Sequence, residues 1–317
     1  MMTCIVSGPK RSGTTLLNRL FDTQPGMIDM NDEAFFWEHA YRYAAVGRED
    51  LFLDLFRAYS PADITDGMIE RDLLPWIEGR YQQAASFLEF EVDLGFNTES
   101  FRAGLKPLRN CATVQEVWHV LVDAYASASD HDYSNADHVL IKSADYGMSI
   151  LGGRRFLDKA RFVFVLRNPF YALDSLKKSR QLRGSKLLNP FNFGEALRDY
   201  VFFWDAREDI LGEDTIFLLY EDLLASPRTV MKRVASHLGV PFTENLLQPT
   251  LEGKSWHGLS SFQATHGVDS SVLERPLQVL EQDEIELVRK HLSGLLERYG
   301  YGPAKQMPVE SDDPCVS

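Results

Sequence analysis

The chain is short of cysteine, short of positive charge and without a long apolar run, and each shortage removes a class of function. Its three cysteines, Cys4, Cys111 and Cys315, are odd in number and widely scattered. That fits neither a disulfide framework nor the paired spacing of a zinc site. Acidic residues outnumber basic ones 46 to 33, for a net charge of −13. Such a surface repels a phosphate backbone, so no nucleic-acid partner is expected, and any anionic ligand must be held by local positive charge. No apolar stretch reaches the roughly 20 residues needed to span a bilayer. Met1 runs almost directly into a strand, leaving no room for a signal peptide. These features imply a soluble, cytoplasmic protein with no membrane partner; they leave the oligomeric state open. Repeats and low-complexity tracts are missing, and so is a G-x-G-x-x-G after the first strand, which argues against a dehydrogenase.

What is present begins at the first residues. A short apolar run ending at Ser7 leads into GPKRSGTT, Gly8 to Thr15, and then into an amphipathic helical pattern. This is the layout of a phosphate-binding loop, yet Thr14 stands where the nucleotide loop G-x-x-x-x-G-K-[ST] has its lysine. The positive charges, Lys10 and Arg11, lie inside the loop instead. Apolar runs at Cys4–Ser7, Gly26–Met30, Val139–Lys142, Arg161–Leu166 and Thr215–Leu219 read as strands. Helical patterns lie between and after them, at Thr14–Asp22, Phe193–Asp209, Pro227–His237 and Asp283–Tyr299. Ser226-Pro227 is a helix start signal. The alternation implies an α/β fold with a central, mainly parallel sheet and helices on both faces. Residues 34–136 carry no strand pattern and read as a helical insertion between strands two and three of one domain, 1–302; the tail from 303 reads as disordered.

In such a sheet, ligands bind at the carboxyl ends of the strands. Strand one is followed by the glycine loop, strand two by Asn31, Asp32 and Glu33, strand three ends in Lys142-Ser143, strand four in Arg167-Asn168, and strand five in Tyr220-Glu221-Asp222. Together these endings make an anion site with a carboxylate beside it. Backbone N–H groups of Ser12 to Thr15, at a helix start, suit an anion. Lys10 and Arg11 add charge, and Arg167 suits a second, separate phosphate closed by the hydroxyl of Ser175. A helix starting at Pro169 would bury Ser175 too deep to reach, so its start is expected a few residues later. Taken singly, each feature has a plainer reading. The glycines can be a turn, and Tyr220 a half-buried packing residue. The basic run Lys177, Lys178, Arg180, Arg183, Lys186 can be a solvated face, or a cover for an anionic ligand.

With these residues in place, the sequence resembles the 3′-phosphoadenylylsulfate (PAPS)-dependent sulfotransferases, proteins of a P-loop-type three-layer fold. GPKRSGTT resembles that family's 5′-phosphosulfate loop, and FVFVLRNPFYALDS its 3′-phosphate motif. LLYEDLLASPRTVMKRVASHLGVPF resembles the stretch whose tyrosine lies near the adenine, and GVDSSVLERPLQVLEQDEIELVRKHL, more loosely, the C-terminal segment over the nucleotide. The resemblance implies that Arg11, Ser12, Gly13, Thr14 and Thr15, with Lys10 beside them, bind the 5′-phosphosulfate. It assigns Arg167 and Ser175 to the 3′-phosphate, Tyr220 to the adenine, and Ser261 and Arg275 to the site's completion. Arginine, not lysine, precedes Ser-Gly-Thr-Thr, as in protein-tyrosine and many bacterial members.

The implied reaction is in-line transfer of a sulfuryl group from PAPS, without a metal, to a hydroxyl or amine of a small-molecule acceptor. Glu33 is the expected base, with Asp32 the alternative and His39 and His119 further candidates; Asp32 and Glu33 could instead cap a following helix. Arg11 and Lys142 would stabilise charge on the leaving group. Phe35, Phe36, Trp37, Tyr41, Tyr43 and Trp76 are expected to wall the acceptor pocket, although such aromatics are also common core residues. Two other readings stay open: a P-loop small-molecule kinase using ATP and Mg²⁺, and a nucleotide-binding protein that has lost its chemistry.

Overall fold

The computed structural model describes residues 1–33, 36–58, 97–182, 190–251, 253–256 and 267–304. Five strands, β1 (Met2–Ser7), β2 (Met27–Glu33), β3 (His138–Ser143), β4 (Ala160–Leu166) and β5 (Thr215–Leu219), form one sheet in the order β2-β3-β1-β4-β5. Every neighbouring pair is parallel. Alternation sorts the side chains between two cores. Ile5, Ile141, Phe162, Phe164 and Leu166 enter one, and Cys4, Val6, Leu140, Val163 and Val165 the other. Burial on both faces is why these strands read as continuous apolar runs.

The first face is covered by α2 (Phe36–Ala45), α3 (Glu49–Ala58), α4 (Thr98–Gly104), α5 (Val114–Ala128), α6 (Met148–Phe156), α7 (Pro169–Leu182) and α8 (Pro190–Ile210), with α11 (Gln282–His291) and α12 (Ser293–Tyr299) packing on the same core. The second is covered by α1 (Thr14–Leu20), α9 (Tyr220–Ala225) and α10 (Pro227–Leu238). The result is an α/β, P-loop-type three-layer fold, and the described elements between β2 and β3 are all helices.

Four expectations need correction. β2 runs on to Glu33 through a register shift after Asp29. It is an edge strand, so its last residues can be polar and escape an apolar pattern; Asp32 and Glu33 belong to the strand and do not cap α2. Helix α7 starts at Pro169, not later. The C-terminal helical pattern breaks at Leu292, whose φ of −118° and ψ of 19° separate α11 from α12. Phe36 and Trp37 are core, not pocket wall: Trp37 is fully buried against Phe36 and Trp118. The Trp118 indole N–H donates to Thr3 Oγ1 on β1 at 3.1 Å, which ties the helical block to the sheet. Phe35 and Trp76 lie outside the described residues.

The topology fixes where a ligand can enter. The chain leaves β1 toward β2 and leaves β4 toward β5, so the crevice between the carboxyl ends of β1 and β4 is the switch point. A cleft of about 550 Å³ opens elsewhere, lined by Arg154, Arg161, Gly212, Glu213, Asp214 and His237 at the amino ends of β4 and β5. Its Arg154 is already bound by both Asp214 oxygens.

Candidate active site

The loop after β1 is pressed onto β4. A Cβ on Gly8 would lie 2.2 Å from the Val165 carbonyl oxygen, so no side chain fits there. Arg11 adopts a left-handed φ of 69°, a strained choice for a residue with a side chain. The Ser12 N–H closes a turn onto the Pro9 carbonyl at 3.1 Å and is therefore not offered to a ligand, contrary to expectation. The amides of Gly13, Thr14 and Thr15 come next, at the start of α1, where N–H groups have no intrahelical acceptor. Ser12 Oγ is fully buried, with no hydrogen-bond partner among the described residues.

β4 delivers Arg167 to the same place. Its Nη1 donates to the Arg11 carbonyl at 3.2 Å, bracing the strained residue, and its guanidinium lies 4.6 Å over the Tyr220 ring. Tyr220 opens α9 directly after β5 and is half-buried against Gly13. Arg11 Nε donates to Ser175 Oγ at 3.1 Å. Ser175 is thus reachable from α7 even though that helix starts at Pro169, because the loop lies along the helix flank and not at its tip. Arg275, just past a 3₁₀ turn at Ser270–Glu274, joins this group. Burial, and then the charge of Arg167, hold its pKa below the usual arginine value, with Tyr220, Asp269 and Asp174 opposing. Two part-buried guanidiniums that repel one another beside a glycine loop make a site that favours an anion.

The sequence-derived set therefore divides. Arg11, Ser12, Gly13, Arg167, Ser175, Tyr220 and Arg275 are brought together. Thr14 is buried in the first turn of α1, with Thr15 partly exposed beside it. Lys10 projects from the loop, its Nζ 3.9 Å from Asp199 Oδ2. Lys142 is buried on β3, and its backbone is level with Glu33 on β2 and Val6 on β1. The Glu33 and Asp32 side chains and all of Ser261 lie outside the described residues. His39 is on α2 with its side chain exposed, and His119 is half-buried on α5.

A model of the Sulfotransferase family matches residues 4–244, which takes in the loop, Arg167, Ser175 and Tyr220. The chain belongs to the sulfotransferase family. A solved structure agrees on the fold. The sulfotransferase domain from the curacin biosynthetic pathway is 17% identical with a TM-score of 0.53, covering 95% of this chain and 98% of that one. The sulfotransferase domain of the Synechococcus PCC 7002 olefin synthase is 18% identical, TM-score 0.48, over 91% and 93%. A sulfotransferase from Alicyclobacillus acidocaldarius is 15% identical, TM-score 0.46, over 95% and 97%. No curated protein sequence matches the chain.

This sulfotransferase also uses residues that its motifs do not announce. Glu221, fully buried beside Tyr220, accepts the Asn168 N–H at 3.0 Å and the Tyr301 hydroxyl at 3.0 Å. It locks the strand ends bearing Arg167 and Tyr220 together, and burial pushes its pKa up to about 7. Asp145, its pKa pushed up to about 6 by burial, accepts from Ser7 Oγ at 2.6 Å and from the Ser149 N–H at 2.7 Å. Lys177 does not face solvent: it is buried, with Nζ 3.1 Å from Glu281 and 2.8 Å from Glu284. Basic-run counting misses this, because its partners are a hundred residues away in sequence.

Asp174 has the most consequence of these. Its Oδ1 accepts the N–H groups of Val279 at 2.7 Å and Leu280 at 2.8 Å, and both oxygens share that of Gln278. One carboxylate on α7 thereby docks the segment that begins with Arg275. Charge-assisted bonds of this kind are worth ~1.5–3 kcal/mol each. Asp174→Ala should raise KM for the sulfuryl donor about tenfold with little change in kcat, and should speed amide exchange at residues 278–280. Unchanged exchange there would show that the segment is held by something else.

Proposed function

We propose that this sulfotransferase moves a sulfuryl group from PAPS to a hydroxyl or amine of a small-molecule acceptor. The observation that carries the choice of donor is the gathering of Arg11, Arg167 and Arg275 with Ser175 and the loop amides at the switch point. In this reading Arg11 and the loop amides take one anion, and Arg167, stacked on Tyr220, takes a second with Arg275. A donor with phosphates on both its 5′ and 3′ sides fits two such positions. The orphaned Ser12 hydroxyl, beside the loop amides at the start of α1, fits an anion held there.

In this reading Arg11, Ser12, Gly13, Thr14 and Thr15, with Lys10, hold the 5′-phosphosulfate. Arg167, Ser175 and Arg275 hold the 3′-phosphate, and Tyr220 faces the adenine. Ser261 belongs to the same set by resemblance. PAPS supplies the activated sulfuryl group, and the chain's residues bind, align and manage charge. Glu33 takes the acceptor proton, and Lys142, level with it on the next strand, joins Arg11 in favouring negative charge on the departing phosphate oxygen. Thr14 in the lysine position weighs against an ATP-dependent kinase. No described helix is long and apolar enough to cross a membrane.

The test is thermal unfolding with 3′-phosphoadenosine 5′-phosphate, set against ATP with Mg²⁺. At a hundred times its Kd the matching nucleotide stabilises the fold by about 2.7 kcal/mol. The expected result is a shift with the 3′-phosphorylated nucleotide alone. Glu33→Gln should retain that shift while transfer falls by ~10²–10⁴-fold. A shift with ATP and Mg²⁺ alone would replace this reading with the kinase. Binding of the 3′-phosphorylated nucleotide with transfer untouched in Glu33→Gln would remove Glu33 as the base.

A further inference from the structure

One buried carboxylate beside the loop is used by none of these roles. Asp199 sits on α8 next to Tyr200, whose hydroxyl donates to the Arg167 carbonyl at 3.3 Å, so this turn of α8 lies on the loop edge. Asp199 is only 2% exposed. Its Oδ1 is 3.6 Å from Arg198 Nη2. Its Oδ2 has no hydrogen-bond partner among the described residues. That oxygen faces Lys10 Nζ at 3.9 Å, beyond hydrogen-bond length.

A buried acceptor atom left without a donor is costly, and native folds rarely tolerate one without a use for it. Lys10 is a poor permanent partner. Its side chain is 43% exposed, and it belongs to the loop, so an anion bound there competes for it. With Lys10 drawn to the anion, Asp199 Oδ2 is left needing a donor.

Among the described residues none donates to that oxygen, and the nearby carboxylates are acceptors with partners of their own. Asp145 is occupied by Ser7, Gly147 and Ser149, and Glu38 is paired with Arg42. Both Asp145 and Asp199 feel the negative charge of Glu38. Tyr146 and Phe202 stand edge to face beside them at 5.0 Å, and the Tyr146 N–H reaches the Gly8 carbonyl at 3.4 Å. In this corner, beside the phosphate loop, the carboxylates Asp199, Asp145 and Glu38 stand among aromatic rings and the cations Lys10, Arg198 and Arg42, and Asp199 Oδ2 is the acceptor left without a hydrogen bond among the described residues.

We propose that Asp199 is the acceptor-recognition carboxylate, receiving a hydrogen bond from an ammonium or hydroxyl that the acceptor carries apart from its reacting group. The acceptors are then neutral or cationic molecules with a second hydrogen-bond donor, and carboxylated ones are repelled. This rests on the sulfotransferase reading. Burial pushes the Asp199 pKa up to about 6, so at neutral pH it is ionised and gains from a cationic partner.

The experiment uses the full chain, PAPS and three phenols that differ at one end: tyramine, 4-(2-hydroxyethyl)phenol and 4-hydroxyphenylacetate. Release of 3′-phosphoadenosine 5′-phosphate is followed for the wild type and Asp199→Asn, with binding of that nucleotide measured separately. The wild type should prefer tyramine and the alcohol over the acid. Asp199→Asn should lose at least tenfold in kcat/KM for tyramine and less for the alcohol, whose hydroxyl the amide can still accept, with nucleotide affinity unchanged. Three outcomes overturn the proposal: an equal loss for all three with a raised KM for PAPS, as expected if Asp199 only holds Lys10; the same preference in both proteins; or no transfer to any of them while the nucleotide binds. Failure of the wild type to bind the nucleotide would instead remove the donor assignment on which the proposal stands.

Discussion

Arg167→Ala should weaken binding of 3′-phosphoadenosine 5′-phosphate by at least a hundredfold while leaving ADP, which has no 3′-phosphate, bound as before. The guanidinium is buried at the end of β4 and stacked on Tyr220, with Arg275 close enough to feel its charge. In the proposed reading a phosphate there is held by a desolvated, forked donor, and truncating one side of such a pair costs about 2–5 kcal/mol. Arg167→Lys should recover only part of the loss, because an ammonium cannot stack flat on the tyrosine or bind two oxygens as a fork. The comparison with ADP matters because Arg167 also donates to the Arg11 carbonyl. If the alanine variant loses both nucleotides equally, its main task is to brace the loop, and the 3′-phosphate falls to Arg275 and Ser175. Calorimetric titration of both nucleotides against both variants decides between these.

The parts of this site that can be read from the sequence are those whose function lies in residue type at short spacing. Gly8 and Gly13 are legible because steric limits leave only glycine at those positions. Arg167 is legible because it follows a buried strand whose apolar run marks the end of β4. The sheet is legible for the same reason, since a strand buried on both faces leaves an unbroken apolar signature. What is hidden depends on partners distant in sequence. Asp174 looks like an ordinary helix residue until the segment 278–280 folds onto it, and Lys177 like a surface charge until α11 arrives. The end of β2 is hidden because an edge strand need not be apolar, and the start of α7 because the reach from Arg11 to Ser175 depends on how the loop lies against the helix. The aromatics of α2 are ambiguous in kind: a tryptophan suits a core and a pocket equally, and only packing against Trp118 decides for Trp37. Asp199 gives no sequence signal at all, because its interest lies in a missing donor.

Gly13→Ala, unlike Arg167→Ala, is expected to abolish nucleotide binding outright, for two separable reasons. Gly13 has a φ of +98°, which an L side chain adopts only under strain. A Cβ there would also lie 2.2 Å from Tyr220 Cδ2 and 2.7 Å from Cε2, inside the ring that Arg167 stacks upon. Relief requires Gly13 to leave its conformation or Tyr220 to move, and either separates the loop from the Arg167 side of the site. Strain of this kind costs ~1–3 kcal/mol before any clash. The single variant should therefore unfold several degrees below the wild type and show no thermal shift with 3′-phosphoadenosine 5′-phosphate. Adding Tyr220→Ala removes the clash but not the strain, and takes away the ring proposed to face the adenine. The double variant should regain part of the unfolding temperature and none of the nucleotide response. A Gly13→Ala protein that binds the nucleotide normally would mean that the ring is not packed on the loop in solution. Recovery of binding in the double variant would mean that Tyr220 is a packing residue and not a ligand contact, so the adenine must be held elsewhere.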